Sequence, residues 1–109
     1  MNADTTKKNA KTTEEPGEVY HLRLFMSGDS ASSTRARDNL VRLCETRLHR
    51  RCKIEIVDVL RCPQAALERN VLATPTLDLL EPPPPVRIVG DLSDHQKVFA
   101  ALRLQPREE

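Results

Sequence analysis

The sequence has no tryptophan, one tyrosine and two phenylalanines. Tyr20, Phe25 and Phe99 are too few and too scattered to form a platform on which single-stranded bases stack, so the core must be aliphatic. No sign of charge dominates either. Seventeen Lys and Arg against sixteen Asp and Glu leave a formal net charge of +1, which carries no global signature of nucleic acid or an anionic membrane surface. Long apolar runs are missing: none approaches the roughly 20 residues that span a bilayer, and the N-terminal stretch lacks the apolar segment of a secretory signal. Cysteine is sparse. Cys44, Cys52 and Cys62 leave one thiol unpaired in any disulfide scheme, and a reducing, cytoplasmic setting is the expectation. A chain of 109 residues holds one domain with a small core.

What the chain does contain is an alternation of strand and helix signals around Leu72-Ala73-Thr74-Pro75-Thr76-Leu77-Asp78-Leu79-Leu80, followed by Pro82 to Pro85. Residues 1–18 are polar and read as a disordered tail, with a partner-binding arm as the alternative. Residues 19–26 alternate in part, with Leu22, Leu24 and Met26 apolar, and predict a first strand. The Ser27 to Ser33 turn offers N-caps; its Gly and Ser content hints at a phosphate cradle, but no Gly-Lys-Ser/Thr completes one.

An amphipathic helix is predicted over 33–50, with Ala36, Leu40, Leu43, Cys44 and Leu48 on one stripe. The arginines lie mostly off that stripe, on what reads as a solvated face. Arg47, His49, Arg50 and Arg51 would complement its C-terminal dipole. Residues 53–59 alternate and are β-branched, predicting a strand with one strongly apolar face that joins the first in a parallel βαβ unit. Pro63 opens a short helix and Asn70 can end it. A strand follows over 72–80. Pro75 stands at its start, where a missing N–H is tolerated; spacing alone leaves its peptide bond cis or trans. The proline run is a rigid turn, or alternatively a polyproline ligand, into a strand over 86–89. A last helix is predicted over 91–104, with Ser93 and Gln96 as capping box and Arg103 in its final turn. A C-terminal tail occupies 105–109, with Pro106 helping to stop the helix.

The order β-α-β-α-β-β-α is that of a thioredoxin-like α/β domain over 19–104. It places Thr74-Pro75-Thr76 where that fold carries a cis-proline before a strand. Thioredoxin chemistry needs Cys-x-x-Cys at the start of the first helix; here that stretch is Gly28-Asp29-Ser30-Ala31-Ser32-Ser33. Cys44 reads as an apolar core residue, and disulfide exchange is not expected. His21, His49 and His95 have no partner at ligand spacing, so no metal, cofactor or catalytic group is expected. The chain reads as a binding module.

Specific blocks resemble the circadian clock protein KaiB family: Leu22-Arg23-Leu24-Phe25-Met26-Ser27-Gly28, Ile56-Val57-Asp58-Val59-Leu60, Pro63-Gln64, Val71-Leu72-Ala73-Thr74-Pro75-Thr76-Leu77, Pro82-Pro83-Pro84, Arg87-Ile88-Val89-Gly90-Asp91-Leu92-Ser93 and Lys97-Val98. The resemblance implies a metamorphic protein with two folds that differ by only a few kcal/mol: a thioredoxin-like monomer and a ground-state tetramer with a different C-terminal half. It implies binding to a KaiC-like ATPase ring, with a KaiA-like protein and a sensor histidine kinase as further partners. The alternative within it is a thioredoxin-like adaptor or chaperone without a clock role. Lys53, Glu55, Gln64, Glu68 and Asn70 are the expected partner-binding residues. The chain departs from the family pattern at Ala101 and Arg103, where Gly and Asp are typical. Ala for Gly favours a helix by roughly 1 kcal/mol, and a cation at a helix C-terminus adds roughly 0.3–1 kcal/mol. Both changes are expected to hold 91–104 as helix and the protein in its thioredoxin-like, monomeric state. Asn70, where a lysine is common, and Pro85-Val86, where Val-Arg is usual, are further departures.

Overall fold

Strand β1 (Tyr20–Met26) lies inside the sheet, and its consecutive apolar residues Leu24, Phe25 and Met26 are buried on both faces. Leu22, Leu24 and Met26 point to one face, and Phe25, fully buried, points to the other. The computed structural model describes residues 19–49 and 51–104; the tails expected over 1–18 and 105–109, and Pro106 with them, lie outside the described residues. The remaining elements are α1 (Ala31–Thr46), β2 (Cys52–Asp58), α2 (Pro63–Glu68), β3 (Thr76–Glu81), β4 (Val86–Val89) and α3 (His95–Ala101). This is the thioredoxin-like order. The sheet runs β2-β1-β3-β4. β1 and β2 are parallel, with Leu22 opposite Ile54; β1 pairs antiparallel with β3, Leu24 opposite Leu77; β3 and β4 form a hairpin, Leu77 opposite Ile88.

One sheet face carries the core. Leu22, Leu24, Met26, Leu77, Leu79 and Ile88 meet Ala36, Leu40 and Leu43 of α1 and Val98 of α3, together with Leu92 and Leu102. Burial of each such leucine stabilises by about 1.5–3 kcal/mol, which lets an almost aromatic-free chain fold. The three X-Pro bonds Thr74–Pro75, Glu81–Pro82 and Pro83–Pro84 are cis. The first sets the entry into β3, and the other two lie in the turn between β3 and β4.

Several boundaries differ from the sequence reading. α1 stops at Thr46 rather than continuing to 50: Leu48 NH returns to the Leu43 carbonyl at 3.3 Å, and His49 takes φ of 53°. Arg47 is thus the C-cap, its guanidinium 4.3 Å from the centre of the Phe99 ring, and no basic residue occupies the last turn. Cys44 is buried as expected for the stripe, but it is disulfide-bonded to Cys52 rather than being a free core thiol. β2 lacks a strongly buried face because it is the sheet's edge; Ile54 is only half-buried and Ile56 is exposed. Residues 72–75 are loop, since Pro75 lacks the N–H a ladder needs.

The last helix is shorter than 91–104. Its N-cap is Asp94, which accepts from Lys97 NH at 3.2 Å, so the Ser93–Gln96 box does not form. Ala101 closes it and Leu102 is the C-cap, leaving Arg103 outside the last turn at φ of 60°. Arg103 NH bonds the Ala100 carbonyl and Leu104 NH the Phe99 carbonyl, at 3.1 and 2.8 Å. These are the paired bonds of a Schellman stop. Arg103 therefore does not act as a cation within the final turn.

Candidate protein-binding site

The sheet face opposite the helices α1 and α3 carries charge. Alternation puts Arg23, Asp78 and Arg87 there, and the registers line them up across the sheet: Glu55 beside Arg23, Arg23 beside Asp78, Asp78 beside Arg87. Arg23 Nε donates to Glu55 Oε1 at 3.0 Å. Arg87 grips the Asp78 carboxylate with both Nε and Nη2, at 2.7 and 3.0 Å. Asp78 is buried, so this forked pair supplies the hydrogen bonds that a buried carboxylate requires. The hydrogen bond that Arg87 donates to Asp78 also raises its already high pKa, against the opposing effect of burial.

The same guanidinium reaches out of the sheet. Nη1 donates to the Asn70 carbonyl at 2.9 Å and Nη2 to the Arg69 carbonyl at 2.8 Å. Those carbonyls follow α2, whose end is a second Schellman stop: Asn70 NH to the Leu67 carbonyl at 3.2 Å and Val71 NH to the Ala66 carbonyl at 2.9 Å. Asn70 sits at the left-handed position with φ of 57°, a conformation that asparagine adopts more readily than most residues. Arg87 thereby ties the β3–β4 hairpin to the end of α2.

The corner at Pro75 is fixed by hydroxyls. Ser27 Oγ and Thr74 Oγ1 are hydrogen-bonded to each other. Ser33 Oγ, fully buried, accepts from Ser27 NH at 3.0 Å, and Thr76 Oγ1 donates to the Ala73 carbonyl at 2.6 Å. Hydroxyls thus stand at the start of α1, where redox members of this fold place thiols; a hydroxyl has no comparable thiolate chemistry. On the other side of the corner, Asp58 Oδ1 accepts from Gly28 NH and Leu60 NH at 3.1 and 3.0 Å, holding the end of β2 to the β1–α1 turn. Among the described residues, no group of three or more His, Cys, Asp or Glu converges as a metal site, and no helix is long and apolar enough to cross a membrane.

The five residues singled out in the sequence are all exposed. Lys53 and Glu55 share one side of β2. Gln64 and Glu68 stand one turn apart on α2, and Asn70 ends it. The Glu55–Arg23–Asp78–Arg87 row, closed onto the Asn70 carbonyl, brings Glu55 and Asn70 into one surface; no bond joins Lys53, Gln64 or Glu68 to it. Sequence reasoning missed the apolar part of this region. Leu60, Leu67 and Leu72 are 71%, 73% and 96% exposed, all within the connection from β2 to β3. The available signal was their position: each is a leucine beside a turn or cap rather than on a core stripe.

Residues 23–104 match a family model described as the KaiB domain. The chain is 42% identical over 89 residues to the circadian clock oscillator protein KaiB of Parasynechococcus marenigrum, covering 82% of this chain and 86% of that protein. It is also 42% identical over 85 residues to the circadian clock protein KaiB3 of a Synechocystis species, covering 78% and 83%. Among solved structures, the N-terminal domain of Synechococcus elongatus SasA superposes with a TM-score of 0.66 at 16% identity, over 93% of this chain and 99% of that one. Mitochondrial thioredoxin 3 of Saccharomyces cerevisiae gives 0.63 at 18% identity, over 80% of each chain. At these identities the two structures are alike in fold.

Proposed function

This chain belongs to the KaiB family, and on that footing we propose that it is a non-catalytic cytoplasmic protein that docks on the ring of a KaiC-type ATPase and modulates its phosphorylation, in a clock or in stress signalling. The docking surface is the outer side of β2 and the α2 segment, with Lys53, Glu55, Gln64, Glu68 and Asn70 as contact residues and Leu60, Leu67 and Leu72 as apolar anchors. The observation that carries this reading is those three leucines. Apolar side chains this exposed, all three in the one connection from β2 to β3, support an interaction surface there, and Arg87 ties the α2 end of that connection to the charged face. A KaiA-like protein and a sensor histidine kinase are further partners in this reading.

The test is a binding titration of the full chain against a purified KaiC-type ATPase with ATP. Saturable binding, weakened about tenfold or more by Leu67→Glu and by Leu72→Glu, is the expected result. Absence of binding, or binding indifferent to both changes, overturns it in favour of an adaptor or chaperone without a clock role.

A further inference from the structure

We propose that Cys44 and Cys52 form a reversible thiol–disulfide site, opened by a dithiol reductant, that bolts the end of α1 to edge strand β2 only when oxidised. The inference is independent of which partner the chain binds. Cys44 lies in the last turn of α1 and is 8% exposed; Cys52 is the first residue of β2 and half-buried. Their Cα atoms are 6.2 Å apart, inside the range a disulfide requires. β2 has a neighbour on one side only and no fully buried side chain. The bond adds a covalent tie to first residues that the β1 ladder holds on the other side, Tyr20 opposite Cys52.

The position of Cys52 makes the bond exchangeable. Cys52 is on an open sheet edge, so an attacking sulfur reaches it more readily than it reaches Cys44. The thiolate is the form that both attacks and leaves in exchange. In the reaction a reductant thiolate attacks Cys52 Sγ. The S–S bond breaks and Cys44 leaves as thiolate, then takes up a proton. The reductant's second thiol attacks its own sulfur in the mixed disulfide, releasing Cys52. Two electrons pass to the protein and the reductant becomes a disulfide. Cys62, exposed and free, takes no part.

The experiment uses the full chain, alkylated and weighed after equilibration in oxidised or reduced glutathione, or with thioredoxin as native dithiol reductant, and melted in the same buffers. When oxidised, Cys62 alone is expected outside the protein disulfide, alkylated or carrying one glutathione, and three alkylated cysteines are expected when reduced. The melting temperature of the reduced form should be lower by roughly 5–15 °C. Cys62→Ser should keep the shift. Cys52→Ala should lose it and melt like the reduced wild-type chain in both buffers. Three labelled thiols under oxidising conditions, a bond that thioredoxin leaves closed in the folded protein, or a shift that disappears in Cys62→Ser each overturns the proposal.

Discussion

Arg87 joins more parts of the molecule than any other side chain on the charged face. It pairs with buried Asp78 and hydrogen-bonds two carbonyls at the end of α2. Removing it leaves a buried carboxylate without its partner, a change that costs more than the pair contributes. Because Arg87 itself is about one-third exposed, Arg87→Ala is expected to lower stability by about 2 kcal/mol in urea unfolding. Arg87→Lys should recover only part, since an ammonium cannot make the fork. Asp91 is the second residue with a defined role. Hydrogen bonds from the Ser93 side chain, then from Arg35 and the Ser93 backbone, hold its pKa down to about 2, below the ordinary 3.8. Its carboxylate binds Arg35 Nε of α1 at 2.9 Å, and its carbonyl accepts from Asn39 at 2.8 Å. A folded value below the unfolded one means the stabilisation is full above about pH 4 and lost as pH falls toward 2. Thermal melts of the wild type and Asp91→Asn should therefore differ above pH 4 and converge near pH 2.

Among the elements, α3 shows where reading the sequence reached and where it stopped. Its apolar residues Val98 and Leu102 were legible from their spacing, because core burial imposes a period. Its ends were not. Asp94 and Ser93 are both capable caps, and only the backbone path out of β4 selects Asp94. Arg103 fell outside the helix because the chain reverses through the Schellman stop, a left-handed turn usually announced by glycine and here taken by arginine. Ala101 remains helical, so Ala101→Gly is expected to weaken the fold by about 0.5–1 kcal/mol. Arg103→Gly should be neutral within about 0.5 kcal/mol, because relief at φ of 60° offsets glycine's greater freedom when unfolded. Urea midpoints of the two variants check this pair. In the same way the apolar stripe of α1 revealed Cys44, but no periodicity could reveal that Cys52 comes back beside it across a chain reversal.

At the scale of the whole molecule, the strand–helix order and the proline blocks carried the fold, since a βαβ unit followed by a hairpin and a helix has few packings. The binding surface was only partly legible. Charged residues on β2 and α2 could be picked out by exposure, whereas the cross-sheet row from Glu55 to Arg87 joins residues far apart in the chain and exists only through register. The fold described here should be the resting state, so light scattering at micromolar concentration is expected to give a monomer near 12.3 kDa rather than a tetramer. The most direct measurement of the binding surface is a hydrogen-exchange footprint of the full chain with and without a KaiC-type ATPase and ATP. Protection confined to β2, α2 and the Leu72 loop is the expected outcome; protection confined to the α1 and α3 face, or none at saturating ATPase, would contradict it.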